Sequence, residues 1–236
     1  MLVIINESAI ENSPPLMKNN LLYLYQFIKN ILDDLFSNKL DEAKLITNFL
    51  PNKIIYFDVG YNVGHESKKI SKIFNKNCKI HAFEPNPELN RNIPKSIKFN
   101  NFAVSLKSKN KVKFVKKKIS SHSFLEKNKT KEYSNDEIIY VRTKSLSDYC
   151  KKNKIKKINF LKIDTEGNEL DCLKSLKNYI QKVTLMKIEI TQKNFFEVYE
   201  YLNKHSFSLI GIINTKYKKN LFEYGNAFFI NKRKKI

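Results

Sequence analysis

The sequence has no tryptophan, only three cysteines, five glycines and six prolines in 236 residues. Cys78, Cys150 and Cys172 form no CxxC pair and leave an odd thiol, which speaks against disulfides and structural zinc and fits a reducing cytosol. The absence of any run of about 18 apolar residues excludes a membrane-spanning helix. The opening MLVIINESAIEN is too short in apolar length for a signal peptide and has no positive cluster before it, so the expected location is cytoplasmic. No repeat and no heptad pattern occurs. Arginine is scarce as well. Arg91, Arg142 and Arg233 are the three arginines among 44 basic residues, so the formal charge of +21 is almost wholly lysine. Base edges and phosphate forks favour the planar guanidinium over the lysine point charge, which makes nucleic acid a disfavoured partner. Abundant lysine, asparagine and isoleucine match the coding bias of an AT-rich genome. The charge still leaves room for an anionic substrate or peripheral contact with an anionic membrane surface.

What is present is the composition of a globular protein, 42% hydrophobic and 28% charged. Residues 1–20 are a polar lead-in with Pro14-Pro15. From Leu21 to Phe49 apolar residues recur at helical spacing (Leu22, Tyr25, Ile28, Leu32, Phe36, then Leu45 and Phe49), predicting two helices before Pro51. The expected division is a helical extension over 1–50 and a main domain over 51–236. In the latter, apolar runs at Ile54–Val59, Lys79–Phe83, Ile97–Phe99, Asn159–Ile163 and Val183–Ile190 read as strands, with Lys111–Lys116 a further one. Helices are expected near 65–75, 87–92, 168–179 and 195–205. Strands alternating with helices predict an α/β, Rossmann-like, doubly wound and mainly parallel sheet. Two last strands, near Phe207–Ile213 and Ala227–Ile230, are joined too closely for a crossover helix and predict an antiparallel edge pair. Lys116–Asn135 reads as a polar, lysine-rich segment and Lys151–Lys157 as a basic connector.

Four motifs carry chemistry. Asp58-Val59-Gly60-Tyr61-Asn62-Val63-Gly64 follows the first strand, where ligands bind in such sheets and where glycines let a backbone approach closely. It is not GxGxxG, and Asp58 would repel a diphosphate. S-adenosylmethionine, with an ammonium, a sulfonium and one carboxylate, suits the turn better. Phe83-Glu84-Pro85-Asn86-Pro87 ends the second strand, where an acid can hold both ribose hydroxyls and the prolines stiffen the turn. Asn101-Phe102-Ala103-Val104-Ser105 would lie by the adenine. Leu161-Lys162-Ile163-Asp164-Thr165-Glu166-Gly167-Asn168-Glu169 ends the fourth parallel strand, so Asp164 is expected to face the same cleft.

In this order the segments DVGYNVG, HAFEPNP, NFAVS and KIDTEGNEL, with Glu189 in Lys187-Ile188-Glu189-Ile190, resemble the FkbM family of methyltransferases over roughly residues 53–231. The resemblance implies a class I methyltransferase sheet, S-adenosylmethionine as donor and O-methylation of small molecules or glycans. It carries Asp58, Gly60, Asn62, Gly64, Glu84 and Asp164 onto the cofactor cleft, to which the reading of the residues adds Pro85, Asn101 and Ala103. Tyr61 stands where the family motif usually has a small residue. An alcohol acceptor calls for a base, and the candidates are Asp164, Glu166, Glu189 and His122. A divalent metal at Asp164 and Glu166 is the less favoured alternative. The 116–135 segment is a candidate acceptor loop, whose lysines would meet an anionic glycan. The competing readings are an RNA methyltransferase and a non-catalytic cofactor-binding module.

Overall fold

The computed structural model describes residues 41–90, 92–117, 123–126, 136–218 and 221–233. The first of the two helices expected over 21–49, His122 and most of the 116–135 segment lie outside these residues. Among the described residues no helix is long and apolar enough to cross a membrane.

Four buried runs build the centre of a seven-stranded sheet: β1 (Ile54–Val59), β2 (Cys78–Phe83), β8 (Ile158–Ile163) and β9 (Val183–Thr191). With β3 (Ile97–Asn100), β10 (Phe207–Lys218) and β11 (Leu221–Asn231), the order is β10-β11-β9-β8-β1-β2-β3. All pairs from β9 to β3 are parallel, while β11 runs antiparallel to both β9 and β10. This is the expected Rossmann-like, mainly parallel sheet with the expected antiparallel pair at one edge. Chain order reverses between β1 and β8, the switch point beside which such sheets bind ligands.

Alternation along the strands divides the core. Phe57, Val59, Leu161, Ile163, Met186 and Ile188 face one side. There α3 (Leu146–Lys152), α4 (Glu169–Ser175) and α5 (Phe195–Lys204) cover them through residues such as Leu146, Leu173 and Leu202. Ile54, Tyr56, Phe160, Leu185 and Phe228 face the other side, under α1 (Glu42–Phe49) and α2 (His65–Ile73). Asp41 caps α1 by accepting from the Ala43 amide at 2.9 Å, and Ile46 anchors it with no exposed surface. Burying such a side chain contributes about 2 kcal/mol. α1 is also tied by charge: Glu42 meets the buried Lys187 of β9 at 2.7 Å and also pairs with Lys69, while Glu66 completes the Lys187 shell at 3.1 Å. A buried ammonium is tolerated only with such partners.

The second sheet was not foreseen. β4 (Ala103–Val104), β5 (Lys109–Lys116), β6 (Phe124–Leu125) and β7 (Glu137–Lys144) pair in the order β4-β7-β5-β6 around Ala103, Phe114 and Val141. The strand at Lys111–Lys116 belongs here rather than to the main sheet. α3 is likewise unanticipated, and its last two residues, Lys151 and Lys152, overlap the segment expected to be a basic connector. This small sheet sits against the carboxyl ends of the parallel strands and contributes a wall to the cavity there.

Candidate active site

The chain leaves β1 through a turn that only glycine can make. Gly60 has φ +82°, and a Cβ on it would lie 1.7 Å from the Asp164 carbonyl oxygen. The turn is held by the Gly60 and Tyr61 amides, which both donate to the Phe83 carbonyl at 3.0 and 3.1 Å. Gly64 (φ +78°) closes it and caps α2, and Tyr61 packs beneath, where a Cβ on Gly64 would meet its hydroxyl at 2.2 Å. Tyr61 therefore fills space inside the turn, with its ring edge on Phe99, instead of projecting into the cleft.

At the end of β2 the Glu84 carboxylate is buried, and each of its oxygens takes one bond from the backbone. One oxygen accepts from the Asn62 amide at 2.9 Å and the other from the Asn86 amide at 2.9 Å. Burial raises its pKa in spite of those bonds. Asn101 holds this loop from behind by donating to the Glu84 and Pro85 carbonyls at 3.0 and 3.1 Å.

The turn after β8 is organised by Glu169. Its Oε1 accepts from the Thr165 amide, the Thr165 hydroxyl and the Gly167 amide at 2.9–3.1 Å, and its Oε2 accepts from Asn194 at 2.9 Å. That clasp forces Glu166 to φ +55°, a conformation costly for a side chain bearing a Cβ. The strain turns Glu166 toward Asp164 and toward Glu189 on β9. One oxygen from each of these three carboxylates lies within 4.8 Å of the others. Such a set can share protons or hold an oxygen-seeking cation. Burial, with Asp164 and Glu169 adding to it, pushes Glu166 up to about 7. Burial again, then Asp164, Glu166 and Glu169, pushes Glu189 up to about 9.

These loops enclose a cavity of about 630 Å³ at the carboxyl ends of β1, β2, β8 and β9. Gly60, Asn62, Glu84, Pro85, Ala103, Asp164, Glu166 and Glu189 all line it, which brings together eight of the residues singled out in the sequence. Asp58 and Gly64 do not line it. Asp58 is fully buried behind the turn, where Ser67 at the start of α2 donates to its Oδ2 at 2.6 Å. Asn101 lies behind the β2 loop, and His122 falls outside the described residues.

Several residues of the site were missed in the sequence. Lys162 donates to the Gly60 carbonyl at 2.6 Å and lies 3.4 Å from Asp58 and 3.3 Å from Asp164. Burial alone would lower its pKa, but the Asp58 and Asp164 carboxylates outweigh that and raise it. A charged residue inside the apolar run NFLKI was the available signal. Phe114, Ser123 and Leu125 reach the cavity from the second sheet, and Lys216, Glu223 and Tyr224 from the β10–β11 hairpin. The Lys216 ammonium sits 5.4 Å from the centre of the Tyr224 ring and pairs with Glu223 at 3.4 Å.

Glu189 gives a prediction about stability. Its carboxyl keeps a proton up to about pH 9 in the folded chain, against an ordinary value of 4.5. Between those values folding takes up a proton, so stability is lost as the pH rises through that window. Glu189→Gln removes the penalty. Thermal unfolding of the ligand-free protein should show the variant level with wild type at pH 4.5 and several degrees more stable at pH 8.5. Equal melting temperatures across the range would mean that Glu189 ionises normally.

Three comparisons bear on identity. A family described as the methyltransferase FkbM domain matches residues 58–209. Hexuronic acid methyltransferase AglP of Haloferax volcanii is 26% identical over 156 residues, which cover 64% of this chain and 61% of that protein. The crystal structure of methyltransferase FkbM from Methylobacillus flagellatus KT superposes with a TM-score of 0.51 at 12% identity, over 75% of this chain and 44% of that one. The chain thus spans less than two thirds of the length of either relative, and the structural likeness is one of fold.

Proposed function

The chain belongs to the FkbM family of methyltransferases, and from that premise we propose that it carries the methyl group of S-adenosylmethionine to a hydroxyl of a sugar or glycan. One observation carries the reading. In a chain of formal charge +21, the described residues lining the cavity include five acidic side chains (Glu84, Asp164, Glu166, Glu189 and Glu223), of which Glu189 keeps its proton at neutral pH, against one lysine, Lys216. Such a wall repels phosphate, which argues against a dinucleotide or a nucleic-acid backbone in the cleft. It suits a ligand with a positive sulfur and a positive nitrogen.

S-adenosylmethionine supplies a methyl group on a positively charged sulfur. The rest is the work of side chains. Gly60 and Asn62 form a backbone wall that a ligand can approach closely. Glu84 has lone pairs left over from its two amide bonds and takes the ribose hydroxyls, while Pro85 and Ala103 flank the base. Asp164 faces the cationic end. Glu166 accepts the acceptor's proton, and Glu189, still protonated at neutral pH, donates a hydrogen bond within the carboxylate trio. On the acceptor side, the Tyr224 ring beside the Lys216 ammonium offers a stacking face and a cation, a pair that fits a carboxylated sugar. The relative acting on a hexuronic acid supports that class.

The test is calorimetric titration with S-adenosylhomocysteine and with NAD, followed by transfer of labelled methyl to neutral and uronic sugars. Micromolar binding of the thioether alone and labelling of a sugar hydroxyl are expected. Binding of NAD instead would remove the reading. Glu84→Ala should weaken S-adenosylhomocysteine roughly 30-fold, the equivalent of about 2 kcal/mol in hydrogen bonds to a charged group.

A further inference from the structure

Lys162 occupies a position where folding alone has no use for a lysine. β8 is buried at every residue, and the Lys162 side chain is only 7% exposed. Taking an ammonium out of water costs several kcal/mol even with good partners, and an apolar side chain of similar volume beside a neutral partner commonly packs as well or better. Its three partners give the position its meaning. The Gly60 carbonyl, at 2.6 Å, belongs to the turn that walls the cavity. Asp58, at 3.4 Å, is its neighbour across the β1–β8 pairing and is fixed on its other side by Ser67. Asp164, at 3.3 Å, opens into the cavity, its side chain 37% exposed. One ammonium thus ties the loop after β1 to the end of β8 and touches a carboxylate of the wall from behind.

The consequence lies in charge. The donor has a net charge of +1, and loss of its methyl leaves a zwitterion of net charge zero. A wall of carboxylates therefore prefers donor to product. A fixed cation behind Asp164 moderates that preference. The moderation serves turnover, because a site that over-stabilises the sulfonium of the ground state raises the barrier to dispersing its charge. We propose that Lys162 is a positioning residue and the built-in counter-ion of the donor cleft: it fastens the Gly60 turn to the Asp164 strand end and cancels part of the carboxylate charge facing the donor, thereby setting how strongly the site distinguishes donor from product. This rests on the reading of S-adenosylmethionine as the donor.

The experiment is calorimetric titration of the full chain with S-adenosylmethionine and with S-adenosylhomocysteine, in wild type, Lys162→Met and Lys162→Arg. In Lys162→Met the ratio of product Kd to donor Kd should rise at least about fivefold, the scale of one screened unit charge across a few side chains. In Lys162→Arg, which keeps the charge, the ratio should stay within about twofold of wild type. A folded Lys162→Met whose two affinities fall together would overturn the proposal, since a merely structural lysine weakens both ligands alike. Should the single variant fail to fold, Lys162→Gln, which keeps an amide donor for the Gly60 carbonyl but carries no charge, must show the same rise in ratio. An unchanged ratio there overturns the proposal equally. Wild-type protein that binds neither ligand would overturn the donor reading itself, an outcome distinct from the others.

Discussion

Gly60→Ala is expected to abolish measurable donor binding and to lower the melting temperature by about 8 °C or more. Two costs combine. At φ +82° a residue with a Cβ is strained by about 1–2 kcal/mol. The added methyl would also stand 1.7 Å from the Asp164 carbonyl oxygen and 2.9 Å from its carbon. Those are backbone atoms, and the Asp164 amide is itself bonded to the Val59 carbonyl at 3.0 Å, so neither loop can yield without breaking the register between β1 and β8. Relief requires the whole turn to lift, which carries the Asn62 amide away from Glu84 and the Gly60 carbonyl away from Lys162. A loss of about 3 kcal/mol in a chain of this size corresponds to that drop in melting temperature. Gly64→Ala forms a useful contrast. Its new Cβ would meet the hydroxyl end of the Tyr61 side chain, which can shift as backbone cannot, so the strain at φ +78° remains but the loss should be smaller than in Gly60→Ala. If Gly60→Ala melts and binds like wild type, the close approach of the two loops is not what shapes the site.

The two glycines look alike in the sequence, and the difference between backbone and side-chain neighbours arises only from the fold. The central strands were legible because burial on both faces leaves unbroken apolar runs such as IIYFDV and VTLMKIEI. The second sheet was not, because its strands are buried on one side only. In β7 just Val141 and Thr143 are buried, while Ile138, Tyr140 and Arg142 point outward. Lysines fill the outward positions of β5, and the segment reads as polar. The carboxylates were identifiable from their place at strand ends, but not which way each one faces. Asp58 shares the face of Tyr56 and turns under α2, whereas Asp164 emerges past the last pairing of β8 and meets the cavity. Nor could spacing reveal that Glu189, far along the chain, would stand beside Glu166. That meeting depends on β8 and β9 lying side by side, with Ile163 paired to Ile188.

The same meeting makes Glu166 the group to test for catalysis. Glu166→Gln is expected to lower kcat by about 10²- to 10³-fold, the usual contribution of a positioned base, with the KM of donor and acceptor changing by less than about threefold. Its left-handed backbone and its neighbours are unaltered by the amide, so a loss confined to kcat would belong to the proton and not to the shape of the site. The pH profile adds an independent sign. With its carboxyl pushed up to about 7, Glu166 is protonated and inactive as a base below that value, so wild-type kcat/KM for the donor should rise as pH passes through about 7. In the loaded cleft the donor's positive charge favours the ionised carboxylate and draws the pKa down. The inflection in kcat should therefore lie at lower pH than that in kcat/KM. In Glu166→Gln both profiles should lose this limb. A variant that keeps the limb while losing rate would move the role of base to Asp164 or Glu189, and one that loses neither would leave the trio as a binding wall with no part in proton transfer.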